Sequence, residues 1–157
     1  MNIGSTKEDL KNEQRIAITP DVIKKYKTLG LNVLLPKEYG FHLGISDQEF
    51  INEGAEILEN DLKVLAEADV ILQMNLISDE NFEKLKSDQL LIGVLNAYSN
   101  KEKIKKLLKK KINCFSLELL PRITRAQSMD ILSSQANLAG YKAVIDSFAF
   151  YQKAIPM

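Results

Sequence analysis

The sequence is poor in the residues that build disulfides, metal sites and membrane spans. Among 157 residues it has one cysteine, Cys114, and one histidine, His42. A lone cysteine cannot form a disulfide within the chain, and this pair cannot supply a His/Cys metal cage, so no metal is expected. The longest apolar runs, such as residues 90–95, fall far short of the about 20 residues that a spanning helix needs. We therefore expect a soluble, cytoplasmic chain without a secretory signal.

An excess of charge of one sign is also missing. Lys+Arg and Asp+Glu both number 21, which gives a formal net charge of +0. Such a balance provides no overall attraction to nucleic acid or to an anionic membrane, and no nucleic-acid partner is expected. Residues 101–111 nevertheless hold seven lysines. Ile104, Leu107 and Leu108 are expected on the inward face, and the lysines then form either a solvated face or a docking patch for an acidic partner.

Strand-like and helical segments alternate along the chain, and 45% of its residues are hydrophobic, enough for one core. Thr19 before Pro20, and Ser46 three residues before Glu49, predict two helix starts. Strands are predicted at 3–4, 31–35, 55–58, 69–74, 90–95 and 112–117, and further helices at 61–68, 78–85, 101–111 and 128–153. This alternation predicts a three-layer α/β domain with a mainly parallel sheet and a long C-terminal helix.

Three isolated residues carry little chemistry by themselves. Cys114 lies in a predicted buried strand and is interpreted as a core residue. His42 lies in a glycine-containing loop and is interpreted as a surface or structural histidine. Arg15 precedes the apolar segment 16–18, where it is either an ordinary loop arginine or an anion-binding arginine near a helix N-terminus.

Residues 121–135 form the most unusual stretch of the sequence. Two arginines, two glutamines, an aspartate and three serines follow directly after the last predicted strand. In parallel α/β sheets ligands bind at the carboxyl ends of strands. The group offers donors and acceptors that suit an amide and ribose hydroxyls, and it holds no nucleophile–base pair. The stretch is therefore an orienting site or, alternatively, a long polar helix cap.

The long helix that follows carries two kinds of surface. Ala136, Ala139, Gly140 and Ala143 form a stripe of small residues, which predicts the close approach of a neighbouring backbone. A second face, with Leu138, Tyr141, Ile145 and Phe148, requires burial. The helix is longer than so small a sheet can cover, so we expect it to connect to another part of a larger assembly.

The stretch from Pro121 to Ala143 resembles the signature of the α subunit of proton-translocating nicotinamide nucleotide transhydrogenase. Lys7–Glu8, residues 15–20 and residues 68–72 resemble the wider alanine dehydrogenase/transhydrogenase N-terminal domain, so the resemblance covers essentially the whole chain. It implies a flavodoxin/Rossmann-like fold. It also assigns residues 1–127 to that domain, and 128–157 to a connecting helix that leads to an NAD-binding Rossmann domain absent from this chain.

In that family the soluble component binds NAD(H) and passes hydride to NADP(H) on a partner component, while a membrane component moves protons. The resemblance implies catalytic roles for Arg122, Gln127 and Asp130, which would orient the nicotinamide, and it adds Arg125 and Ser133 as cofactor-binding residues. Ring-to-ring hydride transfer needs proximity and orientation rather than a protein acid or base. The implied partners are the Rossmann domain, the membrane and NADP(H)-binding components and a second copy in a homodimer, with the chain peripheral on the inner face of the bacterial plasma membrane.

Two departures from the family matter for function. No Gly-x-Gly-x-x-Gly motif occurs in the 157 residues, so most NAD(H) contacts are expected from the second domain, and this chain is expected to be a fragment or the first piece of a split subunit. Alanine dehydrogenases of the family use a lysine and a histidine, whereas Gln73 stands where the lysine is expected and residues 94–98 offer no histidine. An alanine dehydrogenase-like domain and a catalytically silent assembly module remain the alternatives.

Overall fold

The computed structural model describes residues 1–154, and the chain forms two compact units, Met1–Ser116 and Leu117–Met157. Strands and helices alternate through the first unit, as the sequence pattern predicts. The strands are β1 Asn2–Gly4, β2 Asn32–Pro36, β3 Ala55–Leu58, β4 Val70–Asn75, β5 Leu90–Val94 and β6 Asn113–Ser116. The helices are α1 Pro20–Thr28, α2 Asp47–Asn52, α3 Asp61–Glu67, α4 Asp79–Phe82 and α5 Lys101–Lys109, and α6 Ile131–Phe150 belongs to the second unit.

The six strands form one sheet in the order β3-β2-β1-β4-β5-β6, and every pairing is parallel. Ile3 in the short central strand pairs with Val33 on one side and with Val70 on the other. The chain therefore reverses its direction of winding between β1 and β4. The predicted α/β class with a parallel sheet is confirmed.

Helices cover both faces of the sheet, because strand residues alternate between two cores. Val33 and Leu35 point into one core with Ile23 and Phe50, from α1 and α2. Leu34, between them, points into the other core, which is closed by α3, α4 and α5. The second core contains Leu34, Val64, Leu65, Ile71, Phe82, Leu91 and Leu107. This arrangement gives the predicted three layers.

Two glycines allow elements of the first unit to approach closely. A Cβ atom on Gly4 in β1 would lie 2.6 Å from a methyl carbon of Val64 in α3. A Cβ atom on Gly93 in β5 would lie 2.5 Å from the backbone oxygen of Gln73 in β4. The register between β4 and β5 shifts between Leu72 and Asn75, so Gly93 fits against the irregular part of the sheet.

The second unit holds two short 3-10 helices and the long helix. Thr124–Met129 forms a 3-10 helix, and α6 begins at Ile131 rather than at the predicted Ser128. The later start has a local cause, since the Asp130 side chain accepts a hydrogen bond from the backbone N–H of Ser133 and caps the helix. None of the 20 residues of α6 is buried. Across residues 1–154, no helix combines the length and apolar character required to cross a bilayer.

Three details of the first unit differ from the sequence predictions. Cys114 is exposed, because β6 is the last strand of the sheet. Leu108 is expected from the sequence to face inward with Leu107, yet 76% of it is exposed, and Leu107 with the partly buried Ile104 holds α5 against the core. Helix α4 is shorter than the predicted 78–85, although Phe82 and Leu85 are buried as predicted.

Candidate functional site

A polar crevice lies at the carboxyl ends of β1 and β4, where the winding of the sheet reverses. Ligands of open α/β sheets bind at such a reversal point, because the connections on either side diverge and leave a gap. The crevice has a volume of about 560 Å³. Its lining includes Lys7, Glu8, Glu13, Gln73, Asn75, Asn96 and Lys103.

Gln73, which lines the crevice, belongs to a network of buried hydrogen bonds. Gln73 Oε1 accepts from Ser5 Oγ at 3.0 Å and from the Thr6 backbone N–H at 2.9 Å. Gln73 Nε2 donates to Thr6 Oγ1 at 3.0 Å. The Tyr39 hydroxyl donates to Ser5 Oγ at 2.7 Å and accepts from the backbone N–H groups of Ala17 and Ile18. Both ends of the Gln73 amide are thus committed to the protein.

Tyr39→Phe is expected to lower the free energy of unfolding by about 2 kcal/mol, because it leaves the buried N–H of Ile18 and the partly buried N–H of Ala17 without the hydroxyl oxygen. Burial raises the pKa of Tyr39 to about 12, so the hydroxyl is protonated at neutral pH and donates a hydrogen bond to Ser5 Oγ. Urea unfolding measures the change. Tyr98→Phe removes a hydroxyl from an exposed ring and is the matched control, and equal effects of the two variants would contradict the role of the network.

The carboxylates of Glu8 and Glu13 line the crevice and are held by hydrogen bonds. Glu13 accepts from Arg15 Nε at 2.8 Å and from Arg15 Nη2 at 2.6 Å, and Asn75 Nδ2 donates to the same carboxylate at 3.2 Å. Glu8 accepts from the Met74 backbone N–H at 2.7 Å. Burial raises the pKa of Glu8, against the effect of that hydrogen bond. The Arg15 guanidinium group is thus bound to Glu13, a residue that lines the crevice.

Acid is expected to destabilise the chain partly through Glu13. Hydrogen bonds from the Arg15 side chain lower the pKa of Glu13 from 4.5 to about 2. Because the folded-state pKa is the lower one, ionised Glu13 stabilises the fold above pH about 4.5, and this contribution is lost as the pH falls towards 2. Glu13→Gln should lose less unfolding free energy than wild type between about pH 5 and pH 2.5 in urea titrations. Glu59→Gln, at an exposed position, is the control, and identical pH profiles for wild type and Glu13→Gln would refute the prediction.

Part of the polar stretch in the second unit is assembled around Ser133. Ser133 Oγ donates to Asp130 Oδ2 at 2.7 Å and accepts from Arg122 Nη2 at 3.1 Å. Arg122 Nε lies 3.4 Å from Asp130 Oδ2. The hydrogen bonds from Ser133 lower the pKa of Asp130, so its carboxylate is ionised at neutral pH. Arg122, Asp130 and Ser133 thus form one cluster.

The other two residues of the predicted site lie apart from this cluster. Arg125 and Gln127 are both exposed on the 3-10 helix Thr124–Met129. Gln127 is linked to the cluster through its backbone carbonyl, which accepts from the Asp130 N–H at 3.3 Å. In the part of the chain that the structure describes, no group of three or more His, Cys, Asp and Glu side chains is arranged to hold a metal. His42 is exposed, and its Nε2 lies 2.8 Å from the carbonyl oxygen of Gln14.

The sequence pattern of the family described as "Alanine dehydrogenase/PNT, N-terminal domain" matches residues 4–139. The chain belongs to this family. The protein named as the first part of NAD(P) transhydrogenase subunit alpha in Rickettsia prowazekii is 41% identical over 161 residues, which cover 100% of this chain and 42% of that relative. An alanine dehydrogenase of Methanococcus maripaludis is 31% identical over 144 residues, covering 92% of this chain and 38% of the relative.

A solved structure agrees with the fold of this family member. The crystal structure of transhydrogenase from Sinorhizobium meliloti superimposes with a TM-score of 0.92 at 39% identity, covering 100% of this chain and 47% of that chain. This chain therefore spans less than half of the length of the transhydrogenase proteins that it resembles. The likeness to transhydrogenase is stronger than the likeness to alanine dehydrogenase.

The buried network of this family member is not evident from the sequence. Ser5, Thr6 and Tyr39 do not stand out among its residues, and Gln73 is notable there only as a replacement for lysine. The position of Ser5 and Thr6 directly after a predicted strand is a signal that could have indicated them. Nothing in the spacing of Tyr39 indicates that its hydroxyl reaches Ser5, a residue 34 positions away.

Proposed function

We propose that the chain is the N-terminal part of the NAD(H)-binding component of proton-translocating NAD(P) transhydrogenase. Its segment 122–133 would orient the nicotinamide of NAD(H) for direct hydride transfer to NADP on a partner component. The observation that carries the proposal is the cluster of Arg122, Asp130 and Ser133, with Gln127 exposed on the 3-10 helix that precedes Asp130. Similarity over the whole of this chain to a protein named as the first part of NAD(P) transhydrogenase subunit alpha supports it.

The residues of the segment fit the nicotinamide end of the cofactor in their chemistry. A carboxamide presents one acceptor and two donors, and ribose hydroxyls do both. Arg122 and Arg125 supply donors, Asp130 supplies acceptors, and the Gln127 amide supplies both. When bound, NAD(H) supplies the hydride. These side chains would hold the ring and exchange no proton with it, in agreement with the absence of a nucleophile–base pair among them.

The crevice of the first unit argues against alanine dehydrogenase chemistry. Oxidative deamination requires a group that accepts and returns protons at the amine or imine step. Gln73 cannot perform this role, since an amide does not titrate and both of its ends are bound to Ser5 and Thr6. Asn96, after β5, is likewise a neutral amide. The alternative of a silent assembly module is supported by α6, which has no buried residue.

The proposed setting follows from the proposed activity. The remaining NAD(H) contacts would come from a second, Rossmann-type domain, and NADP(H) would be bound by a partner component. The chain would lie on the inner face of the bacterial plasma membrane through these partners, with a homodimer as its expected state.

Reconstitution tests the proposed function. The chain is combined with a polypeptide that supplies the second domain and with the NADP(H)-binding and membrane components, and hydride transfer from NADH to NADP⁺ is followed spectroscopically. We expect activity that requires this chain. An assembled complex without hydride transfer would refute the proposal, and alanine-dependent NAD⁺ reduction would favour the dehydrogenase. A complex that needs the chain for assembly, yet transfers hydride equally well when Arg122, Gln127 and Asp130 are all replaced by alanine, would favour the assembly module.

A further inference from the structure

Helix α5 concentrates positive charge on one small surface of the first unit. Residues 101–111 hold seven of the 21 lysine and arginine residues, although the whole chain is electrically balanced. All seven are lysines. Leu107 is buried and fixes the helix against the core, so the opposite side of α5 faces outward. Lys101, Lys105, Lys106 and Lys109, with Leu108, are exposed there, and we refer to these five residues as the lysine face.

Acidic neighbours neutralise the sides of the helix more than the lysine face. Lys103 lies 2.7 Å from Asp79 and Lys110 lies 3.2 Å from Glu83, both acids being in or next to α4. On the lysine face, Lys105 lies 2.8 Å from the exposed Glu102, a contact that is worth little in water. Within residues 1–154, no ion pair involves Lys101, Lys106 or Lys109. The lysine face therefore keeps a net positive charge.

Leu108 adds an apolar residue at one edge of the same face. It is 76% exposed, and its neighbours one turn away along the helix include Lys105. An exposed leucine beside several lysine ammonium groups matches an interface where headgroup charge lies directly above acyl chains. It matches a specific protein interface less well, because such interfaces are depleted of lysine and favour arginine, whose planar group binds carboxylates with two hydrogen bonds.

We propose that the lysine face binds the surface of an anionic phospholipid bilayer. The lysines attract the phosphate groups as point charges, and Leu108 inserts at the boundary between headgroups and acyl chains. Each net positive charge near an anionic surface raises partitioning about fivefold, so four lysines less the exposed Glu102, three net charges, favour anionic over neutral vesicles on the order of 10²-fold. The attraction is weak, so it orients the chain on the membrane surface without anchoring it permanently. It does not depend on nicotinamide binding.

Vesicle sedimentation tests the proposal with the chain alone. The chain is incubated with vesicles of phosphatidylcholine, or of phosphatidylcholine and phosphatidylglycerol in equal parts, and the bound fraction is measured. We expect binding only to the anionic vesicles and its loss when NaCl is raised from about 0.05 to about 0.5 M, because salt screens the exposed charges. Neutralising the face with Lys101→Gln, Lys105→Gln, Lys106→Gln and Lys109→Gln together should abolish binding, and glutamine preserves helix propensity.

The matched control removes the same charge elsewhere. Lys24→Gln, Lys25→Gln, Lys27→Gln and Lys37→Gln together should leave vesicle binding within about twofold. Leu108→Ser should weaken binding without changing its salt dependence. Absence of a preference for anionic vesicles, or equal loss in both quadruple variants, would overturn the proposal. Binding of the lysine face to polyglutamate but not to vesicles would also overturn it and identify an acidic protein as the partner. Circular dichroism establishes that each variant is folded.

Discussion

Gln127→Asn in the reconstituted complex is expected to slow hydride transfer by about 10²-fold, with the NADH dissociation constant within a few fold of wild type. The substitution keeps the amide and shortens its reach by one methylene group, and a displacement of about 1 Å in a reacting pair can cost that factor. Binding should change little, because the adenosine and pyrophosphate gain their contacts from the second domain. Single-turnover kinetics and NADH titration separate rate from affinity.

The structure makes Gln127 the cleanest position for this test. Its side chain is exposed on the 3-10 helix, so the substitution should leave the fold intact. Asp130 is less suitable, since it also caps α6 and its removal costs about 1 kcal/mol of helix stability. Gln152→Asn makes the same chemical change at an exposed position outside the segment and should leave the rate unchanged. If rate and affinity fell together, the segment would only bind the cofactor and would not orient it. If the rate were unchanged, Gln127 would not belong to the site.

Gly93→Ala is expected to destabilise the first unit by about 3 kcal/mol, at the upper end of the cost of overpacking. The added Cβ atom would lie 2.5 Å from the backbone oxygen of Gln73, a neighbour that cannot rotate away. Strands β4 and β5 must separate at the point where their register already shifts. Urea unfolding followed by circular dichroism measures the loss.

Gly140→Ala is the matched control for Gly93→Ala. Gly140 lies within α6, and within residues 1–154 an added Cβ would meet no atom closer than 4 Å apart from its chain neighbours and the adjacent backbone of the helix. Because alanine is the better helix former, this substitution should stabilise α6 by about 1 kcal/mol. Similar losses at both glycines would show that the close approach at Gly93 has no special cost.

Much of the first unit is predictable because its strands and helix starts are determined by residues close together in the sequence. Apolar runs mark the strands, and Thr19 and Ser46 mark two helix starts that the structure confirms. The predictions for Cys114 and Leu108 are wrong for a common reason. The burial of each residue depends on how its strand or helix is placed in the fold. Strand β6 is at the edge of the sheet, and α5 is turned so that Leu107, and not Leu108, contacts the core. The apolar character of a residue alone does not contain that information.

The polar sites are predictable to different degrees. The 122–133 segment is identified by its composition and its resemblance, yet the contact of Ser133 with both Arg122 and Asp130 requires the helix to start at Ile131. The Tyr39 network could not be predicted, because its hydrogen bonds join residues brought together by a parallel sheet. Such contacts have no sequence period, and only the folded topology reveals them.

The placement of β1 governs the order of events when the chain folds. This strand has only three residues, and it pairs on one side with β2 and on the other with β4. During synthesis β1 leaves the ribosome well before β4, and the sheet is not continuous until Val70 and Ile71 have emerged. Until then β2 and β3 can pair only with each other and β1, leaving apolar edges open to aggregation. Deleting residues 2–4 would divide the sheet into a two-stranded part, β3-β2, and a three-stranded part, β4-β5-β6. These three residues therefore join the two halves of the sheet.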